Sequence, residues 1–171
     1  MAIFSLRISA VRKAGSPLGN ATGRAAHHGG HSLGHAPRVS HGATGKAAYL
    51  SASKHMDANG LVTDYRGKHG VEYSELMLPG GGTADHEKFW NAVDAHKTQR
   101  PTAIIARDVI VAFPHELDFA ERKAAGRALA TWITERYGVA VDLGMHLPET
   151  HKGSDHRNYH AHLLVSELKV S

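Results

Sequence analysis

Two short segments near the C-terminus alternate between apolar and polar residues with a period of two. In residues 139–146 and 160–165, every second position is valine, leucine, methionine or alanine. Successive side chains of a β-strand point to opposite faces, so each segment is predicted to be a strand with one face in a core. The opposite faces carry His146, His160 and His162. We therefore expect a sheet that brings three imidazoles together.

Three clustered imidazoles predict a metal site. Neutral imidazole is a frequent metal ligand, and three protein ligands leave coordination positions for water or substrate. The chain has no cysteine, so thiolate ligands are excluded. We expect one divalent cation, Mg²⁺ or Mn²⁺, although later transition metals would bind imidazole more tightly. Because the chain contains 15 histidines, a chance His-x-His pair is the alternative interpretation.

The remaining pattern predicts an α+β fold. Strands are expected at 3–11, 71–78 and 103–113, and helices at 46–56, 85–98 and 118–137. This order favours an antiparallel or mixed central sheet that helices cover on one face, with the polar face and its metal site left available on the other. Within these elements, Asp108 is expected on the histidine face, and Trp132 and Tyr137 on the apolar stripe of the last helix.

Residues 15–45 differ in composition from the rest of the chain. They contain eight glycines and five histidines without a sustained apolar period, so a flexible insertion is predicted there. At 171 residues the chain suits one domain, 1–171. It has no apolar run of membrane-spanning length and no secretory signal at its start, so we expect a cytoplasmic protein.

Positive charge is concentrated in the N-terminal part of the chain. Residues 1–70 contain 9 Lys/Arg and 2 Asp, whereas residues 71–171 contain 11 Lys/Arg and 14 Asp/Glu. This asymmetry favours a polyanionic partner such as nucleic acid, the alternative being a solvated basic surface. The residues expected to contact a DNA backbone are Arg24, Lys46, Lys54, Arg66 and Lys68.

Several further motifs occur in one order along the chain. They are Gly-Lys-Ala-Ala-Tyr-Leu50, Asp-Tyr-Arg-Gly-Lys-His-Gly-Val71, Leu-Met-Leu-Pro79, Phe-Trp-Asn91, Ala-Arg-Asp108, Ala-Phe-Pro-His-Glu-Leu117 and Asp155-x-Arg-Asn-x-His-Ala-His-Leu-Leu164. In this order they resemble the MobA/MobL relaxases of mobilisable plasmids, within the HUH endonucleases. The resemblance covers nearly the whole chain.

The resemblance implies a nucleophilic Tyr49, metal ligands at His146, His160 and His162, and an acidic residue at Asp108. The last position is often Glu in the family, so Asp108 is expected either to orient a ligand histidine or to assist proton removal. The implied reaction is nicking and religation of single-stranded DNA at a plasmid origin of transfer, through a 5′-phosphotyrosine, in the bacterial cytoplasm. The implied partners are accessory relaxosome proteins and type IV secretion coupling proteins.

The chain departs from the family pattern in the insertion at 15–45 and in two extra histidines, His151 and His156. Three other functions remain open at this point. A rolling-circle replication initiator shares the site but places its tyrosine after the histidines, whereas Tyr49 precedes them. A metal-dependent hydrolase would use the histidines to activate water without a covalent step. A histidine-rich binding module would not cleave DNA.

Overall fold

The computed structural model describes residues 5–13, 42–96, 102–149 and 153–170. Its strands are β1 (Leu6–Arg12), β2 (Lys54–Met56), β3 (Val62–Asp64), β4 (Val71–Met77), β5 (Ile104–Ala112), β6 (Val139–His146) and β7 (His160–Lys169). Its helices are α1 (Gly42–Ser51), α2 (His86–Ala95) and α3 (Phe119–Tyr137), with a short 3₁₀ turn at Pro79–Gly81. Among the described residues, no helix has the length and apolar character needed to span a membrane.

Five strands form one antiparallel sheet in the order β1-β5-β7-β6-β4, while β2 and β3 form a separate hairpin. The predicted α+β class with an antiparallel central sheet is confirmed. In the register of β6 and β7, Gly144 lies opposite His162 and His146 opposite His160. On the other side of β7, Asp108 of β5 pairs with Leu164. Residues that pair directly share a face, so all these side chains project toward one side of the sheet.

Helices cover both faces of the sheet, which differs from the predicted single covered face. Helix α3 packs on the face of Val141, Leu143 and Leu163. Helices α1 and α2 cover the histidine face, and all eight residues of β6 are buried. Where helices cover the histidine face, apolar side chains lie between the polar ones. These apolar residues are Leu76, Ala106, Ala140 and Leu164. These residues need a partner layer, and the alanine-rich α1 supplies part of it.

Asp142 shows how a polar residue is accommodated beneath these helices. Its side chain is fully buried, and its Oδ2 accepts hydrogen bonds from Trp90 Nε1 at 2.8 Å and His86 Nδ1 at 2.9 Å. The hydrogen bond and the neighbouring negative charge raise the pKa of His86 against the opposing effect of burial. A buried carboxylate with such partners is stabilised where an unpaired one would be costly.

Gly144 sets the distance between α1 and the sheet. A Cβ atom at this position would lie 2.8 Å from the carbonyl oxygen of Leu50 and 3.0 Å from its Cβ. Real Cβ atoms do not approach backbone atoms so closely, so any side chain here would push the C-terminal end of α1 away. The glycine therefore brings the end of α1, which carries Tyr49, down onto the histidine face.

The first helix differs from its predicted limits at both ends. It begins at Gly42, where Asp94 of α2 accepts hydrogen bonds from the backbone N–H groups of Ala43 and Thr44. Residues 42–45, predicted to belong to the insertion, thus form its first turn. The rest of that predicted insertion, 15–41, lies outside the described residues, and Arg24 lies there too.

The predicted extension of this helix to residue 56 is wrong, because Lys54–Met56 is a strand. The chain leaves the helix at Ala52, which has a positive φ of 50°. The Asp57 carboxylate then accepts hydrogen bonds from the N–H groups of Asn59 and Leu61, forming the turn that pairs β2 with β3. Asn59-Gly60 therefore lies in a hairpin turn.

Helix α3 begins and ends as its sequence predicts. Asp118 and Glu121 form a reciprocal capping box, and Gly138 ends the helix in the left-handed conformation with φ 66°. Its buried side differs in part from the predicted stripe: Trp132 and Tyr137 are more than half exposed, whereas Leu129 and Ile133 of that stripe are partly buried against the core. The fully buried residues of the helix are Arg122, Gly126, Ala130 and Thr134, whose small members permit close approach to Phe113 and Leu143.

Candidate active site

Three histidines meet at the ends of β6 and β7. The ring centroids of His146 and His160 are 5.5 Å apart, those of His146 and His162 5.0 Å, and those of His160 and His162 5.4 Å. One nitrogen from each ring can be chosen so that all three lie within 4.8 Å of one another. Among the described residues this is the one histidine, cysteine and carboxylate cluster that can hold a metal ion.

Hydrogen bonds define which nitrogen of each ring can bind a metal ion. His160 Nδ1 donates to the carbonyl oxygen of Asn158 at 2.9 Å, and His162 Nδ1 donates to Asp108 at 2.9 Å. His146 Nε2 donates to the carbonyl oxygen of Leu50 at 3.1 Å. Carbonyl and carboxylate oxygens only accept hydrogen bonds, so the lone pairs lie on Nε2 of the first two rings and on Nδ1 of His146.

The three rings are held in the neutral form that binds a metal. Burial lowers the pKa of His146 to about 2, and the nearby Lys68 ammonium adds to this effect. Burial also lowers the pKa values of His160 and His162. Imidazoles that are neutral, buried and fixed by a second hydrogen bond meet the requirements for metal ligands. The residues present therefore fit a divalent cation.

Asp108 connects the histidine cluster to α1. It is 3% exposed, and its carboxylate accepts from His162 Nδ1 and forms an ion pair with Lys46 Nζ at 2.8 Å. Burial opposes ionisation of this carboxyl, but the hydrogen bond from His162 and the charge of Lys46 lower its pKa to about 2. The carboxylate is thus charged and oriented toward a candidate ligand histidine.

Tyr49 stands beside the same cluster. Its ring centroid is 5.8 Å from that of His146 and 6.1 Å from that of His162. Burial raises the pKa of the Tyr49 phenol to about 12, with smaller contributions from Glu149, Tyr65 and Asp108. The group is therefore a neutral phenol near pH 7, and its activation needs positive charge close by.

Two lysines supply positive charge at this tyrosine. Lys46 Nζ lies 5.0 Å from the centroid of the Tyr49 ring, and Lys68 Nζ lies 4.4 Å from it. Lys68 Nζ is also 3.5 Å from Nδ1 of His146. Both residues were expected to contact a DNA backbone from their charge alone. The structure places them among the tyrosine, the histidines and Asp108.

Of the other residues expected at a DNA backbone, Lys54 and Arg66 belong to the β2–β3 hairpin and its following turn, and Arg24 lies outside the described residues. Lys54 is exposed on β2, and Arg66 forms a two-pronged contact with Asp64, with an Nη2–Oδ2 distance of 2.7 Å. Of the two extra histidines, His156 is exposed beside Asp155 and His151 lies outside the described residues.

Tyrosines other than Tyr49 have packing or hydrogen-bonding partners. Tyr65 contacts the edge of the Tyr49 ring at a centroid distance of 5.3 Å. The Tyr73 hydroxyl donates to Glu75, and the guanidinium of Arg122 lies over the ring of Tyr159. Tyr65 is the one of these that the site includes.

Sequence reasoning missed several residues that shape the site. The ion pair of Lys46 with Asp108 joins residues 62 positions apart, and no local pattern indicates it. The carbonyl groups of Leu50 and Asn158, which hold two of the rings, leave no side-chain signal at all. One available signal was the spacing of Lys46 and Tyr49, because residues three apart share a helix face.

Comparison with known proteins adds independent findings. The model of the MobA/MobL family matches residues 41–171. A protein of Acidithiobacillus ferridurans described as mobilization protein MobL is 40% identical over 148 residues, covering 75% of this chain and 39% of that relative. The chain thus spans about two fifths of the length of the curated relative that it matches.

A solved structure shares the fold along almost the whole chain. It belongs to work described as the molecular basis of vancomycin resistance transfer in Staphylococcus aureus. The match has a TM-score of 0.72 and 26% sequence identity, and it covers 99% of this chain and 73% of the solved one. The likeness therefore includes the sheet, the helices and the segment that carries the histidines.

Proposed function

This chain belongs to the MobA/MobL family, and from that premise we propose that it nicks and rejoins one strand of plasmid DNA at an origin of transfer. The observation that carries the proposal is the position of Tyr49, whose ring lies about 6 Å from two of three clustered, neutral histidines. A phenol beside a metal-binding cluster suits nucleophilic attack on a phosphodiester.

In the proposed reaction, the phenolic oxygen of Tyr49 forms a bond to the scissile phosphorus. The bond from phosphorus to the 3′-oxygen breaks, a 3′-hydroxyl is released, and the 5′-phosphate stays on the tyrosine. The phosphotyrosine ester retains the energy of the broken bond, so attack by a 3′-hydroxyl can reverse the step. The enzyme is thus proposed to be a strand transferase as well as a single-strand endonuclease.

His146, His160 and His162 are the proposed metal ligands. A divalent cation held by them would polarise the scissile phosphate and stabilise the charge that develops on its oxygens. We propose Mg²⁺ or Mn²⁺ as the working ion, because both accept phosphate oxygens readily. In this assignment Nδ1 of His146 and Nε2 of the other two rings bear the lone pairs.

We assign Asp108 a positioning role. Its carboxylate accepts from His162 and is paired with Lys46, and its pKa of about 2 makes it a weak proton acceptor. A carboxylate in this arrangement orients the imidazole and raises its strength as a ligand. Asp108→Asn is therefore expected to weaken cation binding by about 10-fold to 100-fold, whereas Asp108→Glu is expected to recover part of that loss.

The raised pKa of Tyr49 fits a nucleophile that is inactive until DNA arrives. A phenol with a pKa of about 12 keeps its proton at neutral pH. Deprotonation becomes favourable only as the phosphorus accepts the oxygen and the surrounding positive charge stabilises the product. Single-stranded DNA at the origin of transfer is the proposed substrate, and relaxosome accessory proteins and secretion coupling proteins are the proposed partners.

The rival function that uses the same histidines is water activation by a hydrolase. Such an enzyme has no need of Tyr49, whereas the proposed function requires it beside the metal ligands. A rolling-circle initiator would share the chemistry, but family membership and the position of Tyr49 ahead of the histidines favour mobilisation.

The test is a strand-cleavage assay with labelled single-stranded oligonucleotides that tile the plasmid's origin of transfer. Wild-type protein with Mn²⁺ is expected to give a protein-linked product on a denaturing gel. Addition of EDTA and the double substitution His160→Ala, His162→Ala are each expected to abolish it. Cleavage that continues with chelator present, or cleavage without a protein-linked strand, would contradict the proposal.

A further inference from the structure

The ammonium group of Lys68 lies at the point where the tyrosine and the histidine cluster meet. Its Nζ is 4.4 Å from the centroid of the Tyr49 ring and 3.5 Å from Nδ1 of His146. The second nearby ammonium, Lys46, is held at 2.8 Å from the buried carboxylate of Asp108. The two lysines differ in position, because Lys68 is the one that contacts both the Tyr49 ring and a nitrogen of a candidate ligand histidine.

The contact of Lys68 with His146 bears on cation binding. Since Nε2 of His146 donates to the Leu50 carbonyl, Nδ1 is the nitrogen that offers its lone pair. This is the nitrogen that Lys68 approaches. An ammonium and a divalent cation close to the same nitrogen repel each other. If the two charges are about 4 Å apart, this repulsion weakens cation binding by at least roughly fivefold, even with the dielectric screening of water.

A phosphodiester would reverse the sign of this interaction. Its negative oxygens can lie between the cation and the ammonium and attract both. Because Lys68 also lies over the ring of Tyr49, a phosphate that reaches Tyr49 comes within range of the same ammonium. An ammonium fixed in this position stabilises the charge that grows on the phosphate as the new bond forms.

We propose that Lys68 is a catalytic residue that contacts the phosphate attacked by Tyr49, and that its ammonium opposes cation binding until that phosphate is present. The inference rests on the proposed nicking function and extends it to the coupling between metal and DNA. Lys68 keeps its protons throughout. The phenolic proton leaves to solvent, the 3′-oxygen gains a proton from solvent, and the tyrosine–phosphorus bond replaces the bond to that oxygen.

Calorimetry with Mn²⁺ tests the coupling without relying on cleavage. The titrations use Tyr49→Phe protein with and without an origin-of-transfer oligonucleotide, and the His160→Ala, His162→Ala variant supplies the background. We expect Lys68→Met to bind Mn²⁺ at least about fivefold more tightly than its parent in the absence of DNA. We also expect DNA to strengthen Mn²⁺ binding in the parent, and to do so much less in Lys68→Met.

Cleavage assays test the catalytic role. Lys68→Met in the wild-type background is expected to slow single-turnover adduct formation by about 100-fold, as for loss of one preorganised donor to a developing charge. DNA binding should lose only one phosphate contact. The slope of the logarithm of the binding constant against the logarithm of salt concentration should then decrease in magnitude by about 0.7. Lys68→Arg, which keeps the charge, is expected to recover part of the rate.

Lys123 provides a matched control on the opposite side of the sheet. Its Nζ lies 4.0 Å from the centroid of the Tyr73 ring, the same kind of lysine–tyrosine contact at a position remote from the histidines. Lys123→Met is expected to leave both Mn²⁺ binding and the rate unchanged. If removing any lysine that contacts a tyrosine ring altered Mn²⁺ binding or the rate, both Lys68→Met and Lys123→Met would show the change.

Two results would overturn the inference. One is Mn²⁺ binding in Lys68→Met that is unchanged or weaker, since a merely structural lysine would weaken it. The other is normal adduct formation by Lys68→Met under conditions in which wild-type protein reacts. If wild-type protein forms no adduct with any oligonucleotide, the nicking proposal itself fails, which separates the two failures.

Discussion

The two faces of the central sheet are built from the same strands but by opposite chemistry. The face under α3 is an apolar layer in which Val141, Leu143 and Leu163 pack against Phe113 and Ala130. The face under α1 and α2 is also covered, yet it buries charged and polar side chains: Asp108, Asp142, His146 and His162. The apolar face needs only matched shape, whereas the polar face needs a specific partner for each group.

This difference separates stability from function. The α3 face is joined to a capped, regular helix and contributes hydrophobic burial. The α1 face contains the tyrosine, the histidines and the lysines, and the buried Asp108, His146 and His162 have partners that also orient them. We therefore expect substitutions on the first face to change mainly the free energy of unfolding, and substitutions on the second to change mainly cation binding and cleavage.

The largest effect on stability is expected from Leu143→Ala on the apolar face. Leu143 is fully buried, so the substitution removes apolar contact and leaves a cavity, at a cost of about 2–5 kcal/mol in the free energy of unfolding. Urea titration measures the loss. Mn²⁺ affinity of the folded fraction should stay at the wild-type value, and a large loss of affinity would show that the two faces are not separate.

Gly144 is the neighbour of Leu143 on the other face of the sheet. Gly144→Ala is expected to lower the free energy of unfolding by about 1–3 kcal/mol through overpacking against Leu50. Its effect on function should be greater than that of Leu143→Ala, because the displaced end of α1 carries Tyr49 away from the histidines. Adduct formation and urea titration on the same preparation compare the two. Normal cleavage by Gly144→Ala would contradict the role assigned to the close approach of α1.

The ionised Asp108 of the polar face predicts that the free energy of unfolding depends on pH. Its pKa in the folded protein is about 2, below the value of about 3.9 in an unfolded chain. Its contribution, about 2–3 kcal/mol, is therefore fully present above pH 4 and is lost as the pH falls through the folded value. The stability difference between wild-type protein and Asp108→Asn should shrink as the pH falls from 6 toward 2. A constant difference would contradict the ion pairing described.

The smallest effect is expected at Trp132, on the outer side of α3. Its side chain is 57% exposed and contacts Tyr137 at a centroid distance of 5.9 Å. Trp132→Ser should change the free energy of unfolding by no more than about 0.5 kcal/mol, as is usual for surface positions. Thermal unfolding measures this change. A loss like that of Leu143→Ala would mean that Trp132 packs in the core, as the sequence predicted, and not on the exposed side of α3.

The sequence predicted the parts of the fold that local patterns determine. Period-two alternation located β6 and β7, and Asp118, Glu121 and Gly138 located the ends of α3. The hairpin at Lys54–Met56 was missed because an alanine-rich segment continues into it without a proline or glycine. Its formation depends on the Asp57 side chain, which bonds to two backbone N–H groups after the chain has turned.

Strand alternation and the family resemblance predicted part of the site. Alternation placed His146, His160 and His162 on one face, where the structure brings them together. The covering of that face by α1, and the partners of Lys46 and Lys68, depend on contacts between distant parts of the chain. Such contacts are set by tertiary packing, so charge alone indicated DNA backbone contacts for lysines that lie inside the site.

The most direct test of the central claim is to identify the residue that becomes bound to DNA. Wild-type protein is incubated with Mn²⁺ and its reactive origin-of-transfer oligonucleotide, digested with protease, and the DNA-linked peptide is sequenced by mass spectrometry. We predict a 5′-phosphate on Tyr49, and no adduct for Tyr49→Phe although Mn²⁺ and DNA still bind. An adduct on Tyr65, or a cleaved strand with a free 5′-phosphate, would contradict the account.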